Sequence, residues 1–137
     1  VARGDVNYIS VGECSNVQDL VCLHVADENP CIIGDYVTIG HNTLIHCSKI
    51  GNNCLIGMGS TLLGYTEIGE NTIIGAATLL TQHKKIPHDS LVYGNPSRII
   101  RALREDEVEA VHASAMNYCK LARVYREERE AREHQGK

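Results

Sequence analysis

Three of the chain's seven histidines stand where imidazoles could share an ion. His24 directly follows Leu23, His46 directly follows Ile45, and His41 comes two residues after Ile39. A neutral imidazole is the commonest protein ligand for zinc, and it also suits iron or cobalt. Three imidazoles with a fourth position left open make a catalytic rather than a structural zinc site, one that lowers the pKa of bound water to about 7. Such chemistry needs all three rings around one point, so the backbone that carries them decides whether it is available.

That backbone follows a six-residue beat. An aliphatic residue returns at Ile33, Ile39, then Ile50, Ile56, Leu62, Ile68, Ile74 and Leu80. A glycine follows directly at Gly34, Gly40, Gly51, Gly57, Gly69 and Gly75. Four residues after the aliphatic comes a small or β-branched side chain: Val37, Thr43, Cys54, Ser60, Thr66, Thr72, Thr78. This period is neither that of an α-helix nor that of a hairpin meander with spaced turns. It is the hexapeptide repeat of a parallel β-helix, in which each hexad makes a short strand and a turn and three hexads close one triangular coil. The aliphatics point inward and stack on their counterparts in neighbouring coils, while the small residues leave room near the corners.

Counting hexads puts Leu23 on one face, Ile33 and Ile39 on the other two, and Ile45 back on the first. His24 and His46 therefore take the same outward position in adjacent coils, where strands lie about 4.8 Å apart and two rings can reach one metal. His41 belongs to the preceding face and points away from the pair. A closed ring of three subunits, packed face to face about a threefold axis, brings His41 of one chain to the pair of its neighbour. The spacing thus predicts a homotrimer with metal shared between subunits. A stacked histidine ladder without metal is the competing reading of the pair.

The same beat is visible upstream at Val11, Val17 and Leu23, then breaks at Ala26-Asp27-Glu28-Asn29-Pro30. Leu23 and Ile33 are ten apart instead of six, which predicts a four-residue insertion looping off one corner. Ile45 and Ile50 are five apart, which trims a turn. The coils are expected to end near Leu80 or Ile86, because Pro87 and Gly94-Asn95-Pro96 cannot continue a strand. From Arg104 the period changes: Val108, Val111, Ala115, Tyr118, Ala122 and Tyr125 form one helical stripe, with Glu105, Asp106 and Glu107 loading its first turn. The expected organisation is all-β: a hexapeptide-repeat β-helix over 1–90, an exit loop over 91–103, and a helix over 104–135 packed on the outside, together one domain. The chain opens inside a coil at Val1-Ala2-Arg3-Gly4-Asp5. Further residues are therefore expected upstream, since a bare coil end exposes unpaired strand edges.

Composition narrows the classes. The 137 residues include no Trp and no Phe, so the core is aliphatic, as a narrow coil requires. A formal net charge of −4 gives no reason to expect nucleic acid or a membrane surface as partner. The six cysteines form no CxxC pair, and several fall at strand positions that suit a small reduced thiol. The expected location is the cytoplasm.

Arg3-Gly4-Asp5, Asn16-Val17-Gln18-Asp19, His24, and Ile39-Gly40-His41 followed by His46 resemble the gamma-class carbonic anhydrase-like family. Gly57-Met58-Gly59-Ser60 and Gly94-Asn95-Pro96 are similar too, and the resemblance covers essentially the whole chain. It implies a left-handed β-helix trimer with a metal at each of three interfaces, held by His24 and His46 of one subunit and His41 of the next. Gln18 and Asn16 would orient water or substrate beside the metal, and Arg3, Asp5 and Asp19 would form an interface ion-pair network. Active relatives carry Glu directly after Arg-Gly-Asp and a longer acidic loop after the first His, whereas this chain has Val6 and only Asp27 and Glu28. Proton release would then fall to Glu28, to Tyr118 of the helix, or to buffer.

The function that follows is zinc-dependent hydration of CO2 to bicarbonate, a lyase reaction, slowed by weak proton export. One alternative is a hexapeptide-repeat acyltransferase using acetyl-CoA, with a histidine as general base; it rests on the fold, on Gly94-Asn95-Pro96 and on His83. Another is a metal-loaded trimeric binding or assembly protein without turnover, which Val6 in place of Glu favours.

Overall fold

The computed structural model describes residues 1–135, with side chains through 133. The six-residue beat folds into a parallel β-helix with three faces. The first face stacks Ala2–Arg3, Cys22–His24, Leu44–His46, Thr61–Leu62 and Leu79–Leu80. The second stacks Ile9–Val11, Cys31–Ile33, Lys49–Ile50, Glu67–Ile68 and Lys85–Ile86. The third carries Asn16–Val17, Thr38–Ile39, Leu55–Ile56, Ile73–Ile74 and Ser90–Tyr93.

Register explains the core. On the first face Leu23, Ile45, Leu62 and Leu80 are successive partners, and on the third Ile39, Ile56, Ile74 and Val92 are. Nearly all are fully buried. Each such side chain contributes about 1.5–3 kcal/mol by leaving water. The small residues near the corners are buried as well and use their hydroxyls on the turns: Thr43 Oγ1 donates to Gly40 O at 2.8 Å and Thr78 Oγ1 to Gly75 O at 2.7 Å. The glycines of the beat are there for space. A Cβ on Gly57 would stand 2.4 Å from the backbone N of Ala76 in the next coil, and one on Gly69 would stand 2.4 Å from that of His88. Left-handed backbone falls instead on the turn residues, among them Cys14, Tyr36, Asn42, Asn53 and Asn71, with φ near +55°.

The insertion after Leu23 is a tight turn: Ala26 and Asn29 exchange backbone hydrogen bonds at 3.0 and 3.1 Å around Asp27-Glu28. Asn7 Nδ2 donates to Ala26 O and Asp27 O, and Asn29 Nδ2 donates to Cys47 O at 2.6 Å, so the loop is tied on both sides.

Residues 91–103 are not an exit loop. Ser90–Tyr93 adds another parallel strand to the third face, with Leu91 opposite Ile73 and Val92 opposite Ile74. Gly94-Asn95-Pro96 then reverses the chain, and Arg98–Ala102 returns antiparallel, with a register irregularity between Leu91 and Val92. The reason is visible in the beat, which continues from Leu80 to Ile86 to Val92 through Pro87. The glycine and proline are a hairpin turn rather than a terminator.

The helix runs Glu105–Gln135, one residue later than expected. Its start is held by Glu107, which accepts from the backbone N of Arg104 at 2.9 Å and pairs with both terminal nitrogens of Arg101 at 2.8 and 2.7 Å. Those bonds, the Arg101 side chain foremost, pull its carboxyl down to about 2. Val111 and Ala115 are buried against the coil, but Tyr118, Leu121, Val124 and Tyr125 stay exposed. The apolar stripe therefore packs only over its first half. A helix of 31 residues is about 46 Å long, whereas five stacked strands span about 19 Å from first to last, so the helix outruns the wall it packs on.

Candidate metal centre

The parallel register of the first face puts Arg3 opposite His24 and His24 opposite His46. Alternation along each strand turns Leu23 and Ile45 into the core and the two imidazoles outward, where both are half-buried. Their ring centroids are 5.1 Å apart, with planes at 57°. His46 Nδ1 lies 3.3 Å from the Cys47 sulfur, which leaves Nε2 as its nitrogen for a further partner. His24 Nε2 meets Asp5 Oδ1 at 3.0 Å, and Asp5 also pairs with Arg3. Partial desolvation, the largest single influence on Asp5, raises its pKa. Hydrogen bonds from His24 and the backbone, with the Arg3 charge, outweigh it and hold the carboxyl below its ordinary value.

A second group gathers elsewhere. His41 sits in the turn that joins the third face to the first, rather than on the flat of a face, because Gly40 ends the strand at Ile39. Its Nδ1 is 3.2 Å from Asp19 Oδ2, on the same corner one coil away, where Asn42 N donates to Asp19 O at 2.9 Å. Gln18 Nε2 donates to Asn16 Oδ1 at 3.2 Å, and Asn16 Nδ2 donates to Thr38 Oγ1 at 2.9 Å. Gln18, His41, Met58, Tyr93 and Tyr118 line a cleft of about 380 Å³ between the third face and the helix. A larger cleft, about 680 Å³, lies on the second face beside Lys49, Glu67 and Lys85, away from both groups.

The expected site residues thus divide in two within one chain. Arg3, Asp5, His24 and His46 share the first face, and Asn16, Gln18, Asp19, His41 and Tyr118 share the third face, its corner and the helix. Asp19 pairs with His41 rather than with Arg3 and Asp5. Glu28 is exposed at the tip of its tied loop, and no hydrogen bond among the described residues engages its carboxylate. Among the described residues, no three His, Cys, Asp or Glu side chains stand close enough to hold a metal. Two supports escaped the sequence reading. Thr38 fixes the Asn16 amide, and pairing Asn16 with its partner one coil on exposes it. Asp5 as the partner of His24 had no spacing signal at all.

Comparison with known proteins places these groups in a family. Residues 47–82 match the model "Bacterial transferase hexapeptide (six repeats)". A Methanocaldococcus jannaschii protein named "Probable carbonic anhydrase" is 50% identical over 122 residues, covering 89% of this chain and 77% of that protein. Gamma carbonic anhydrase 2, mitochondrial, of Arabidopsis thaliana is 38% identical over 134 residues, covering 93% of this chain. The chain belongs to the gamma-class carbonic anhydrase-like family. It spans 48% of the length of that plant relative of the family. The crystal structure of a hexapeptide transferase family protein from Anaplasma phagocytophilum superposes with a TM-score of 0.86 at 37% identity, over 90% of this chain and 73% of the other. No helix among the described residues is long and apolar enough to cross a membrane.

Proposed function

We propose that this chain is a carbonic anhydrase of the gamma class, a lyase that interconverts CO2 and bicarbonate at a metal shared between subunits of a homotrimer. The observation that carries the reading is the in-register His24/His46 pair, outward and half-buried on one face, with His41 on a different edge. Two imidazoles at this separation suit a borderline metal, and a third from a neighbouring chain would complete a three-nitrogen set with one position open. Zinc is the metal proposed, with iron and cobalt admitted by the same donors. The bound metal supplies Lewis-acid activation of water for addition to CO2.

The residues around it have separable tasks. Asp5 engages His24 Nε2 in the metal-free chain and, because it also pairs with Arg3, would keep a partner if a metal took that nitrogen. Asn16, fixed by Thr38, takes the Nε2 of Gln18, so Gln18 presents its carbonyl oxygen as an acceptor that orients water or substrate. Tyr118 places a phenol on the wall of the same cleft. Proton export is the weak step: Val6 follows Asp5, and Glu28 is carried on a loop tied down by Asn7 and Asn29. Six free cysteines, three of them buried, support the cytoplasm as the location.

Metal analysis of protein purified without added zinc, followed by stopped-flow CO2 hydration, tests the reading. We expect stoichiometric metal and a hydration rate that rises steeply with imidazole-type buffer. Metal without hydration at any buffer level would favour a binding or assembly role. A metal-free trimer would remove the shared-site reading and leave acyl transfer to be tested.

A further inference from the structure

The helix crosses the corner that joins the second face to the third, and it touches successive rungs of that corner in order. Cys14, Tyr36 and Asn53 are equivalent turn residues in three consecutive coils, each left-handed, with φ of 53°, 57° and 54°. Their stacking is direct: Tyr36 N donates to Glu13 O and Asn53 N to Asp35 O. Asn53 Nδ2 donates to Val108 O at 3.3 Å. One rung back, the Tyr36 ring lies 4.5 Å from the His112 ring, centroid to centroid. The helix then passes over Asn16–Val17, where Tyr118, Leu121 and Ala122 share a groove with Asn16 and Val17. Cys14 is the turn residue two positions before Asn16, and Cys119 lies on the helix face of Ala115, one turn further on. Both thiols are half-buried and free. Their proximity is felt in the ionisation of Cys14, which the neighbouring Cys119 thiol, the largest influence, holds above its ordinary value.

We propose that Cys14 and Cys119 form a reversible disulfide that clamps the helix onto the first coil. The oxidant is a low-molecular-weight disulfide. One of the two thiols, as thiolate, attacks a sulfur of that disulfide and releases one small thiol. The other, as thiolate, then attacks the protein sulfur of the mixed disulfide and releases the second, so two protein thiols and one small disulfide become one protein disulfide and two small thiols. The raised Cys14 makes the exchange faster as pH rises. Two of the other cysteines are poor competitors, because burial pushes Cys31 up to about 11 and Cys54 up to about 12. The clamp matters because its anchor rung is otherwise weak: beyond Ala115 no apolar side chain of the helix is buried among the described residues, and Tyr118 forms part of the wall of the Gln18/His41 cleft. The proposal does not depend on the chemistry at the histidines.

The full chain treated with oxidised glutathione at pH 8 tests it, read by intact mass, non-reducing peptide mapping and amide exchange. The expected result is a loss of about 2 Da within one chain, a linked Cys14–Cys119 peptide, and exchange over residues 108–121 slowed about tenfold, all reversed by dithiothreitol. Cys119→Ser should show none of these while keeping the same exchange pattern when reduced. Glutathione retained on Cys14 or Cys119 without a link, a link between two chains, or a link that leaves helix exchange unchanged would each overturn the proposal.

Discussion

The proposed sharing of the site between subunits makes a quantitative prediction for mixed oligomers. His24 and His46 are register partners on one face, while His41 is on a corner of the same chain and paired with Asp19. A His41→Ala chain therefore keeps an intact pair, and a His46→Ala chain keeps an intact His41. Alone, each variant builds three sites lacking one imidazole, and neither should retain metal after dialysis against a chelator. Mixed at equal ratio and allowed to exchange, a site is complete only when the pair comes from the first variant and His41 from the second. Random assembly gives about one half times one half, so about a quarter of sites regain metal and hydration activity. Exchange is verified by native mass spectrometry, metal by elemental analysis, and activity by stopped-flow. A verified mixed trimer with no more metal than its parents would refute sharing between chains. So would full metal in either parent.

Three further outcomes follow from the same contacts. Gln18→Ala should lower hydration far more than metal content, because its amide hydrogen-bonds Asn16 rather than any of the three histidines; equal loss of both would make it structural. Ile56→Ala removes a fully buried rung between Ile39 and Ile74 and should cost about 2–5 kcal/mol in denaturant unfolding, with a value under about 1 arguing against a stacked core. Glu107 has a folded value of about 2 against an ordinary 4.5, so its contribution is present above pH 4.5 and disappears as pH falls toward 2. Glu107→Gln should flatten acid-dependent helix release in that window, as followed by amide exchange, and an unchanged profile would place the acid sensitivity elsewhere.

What the sequence could say was limited by what its period encodes. A six-residue repeat specifies which side chains stack inward and therefore which outward positions coincide one coil apart. That is why His24 and His46 were readable as a pair, and the insertion at Asp27-Glu28 as a loop that preserves the faces. It says much less about corners, where left-handed backbone at residues such as Asn42 turns neighbouring side chains off the faces. A hexad count puts His41 on a face for that reason, and the family resemblance gives Asp19 to Arg3 and Asp5 rather than to His41. The strand at Ser90–Tyr93 is hidden because Pro87 and Gly94 read as breakers while the beat from Ile86 to Val92 runs on. The helix stripe was legible as apolar spacing, but spacing carries no information on where the wall beneath it ends.

The same division has a consequence for how this chain should fail. Its stability resides in buried columns such as Leu23, Ile45, Leu62 and Leu80, none of which bears a candidate ligand. Its candidate chemistry resides on one outward face and one corner that do not meet within one chain. Substitutions there, at Arg3, Asp5 or Asp19, leave the inward stack untouched and, on the proposed reading, act on how subunits meet or how the imidazoles are held. Metal should therefore be lost well before the coil unfolds. A β-helix that keeps its cooperative melt while releasing its ion is the behaviour expected when the fold belongs to one chain and each proposed site is shared between two.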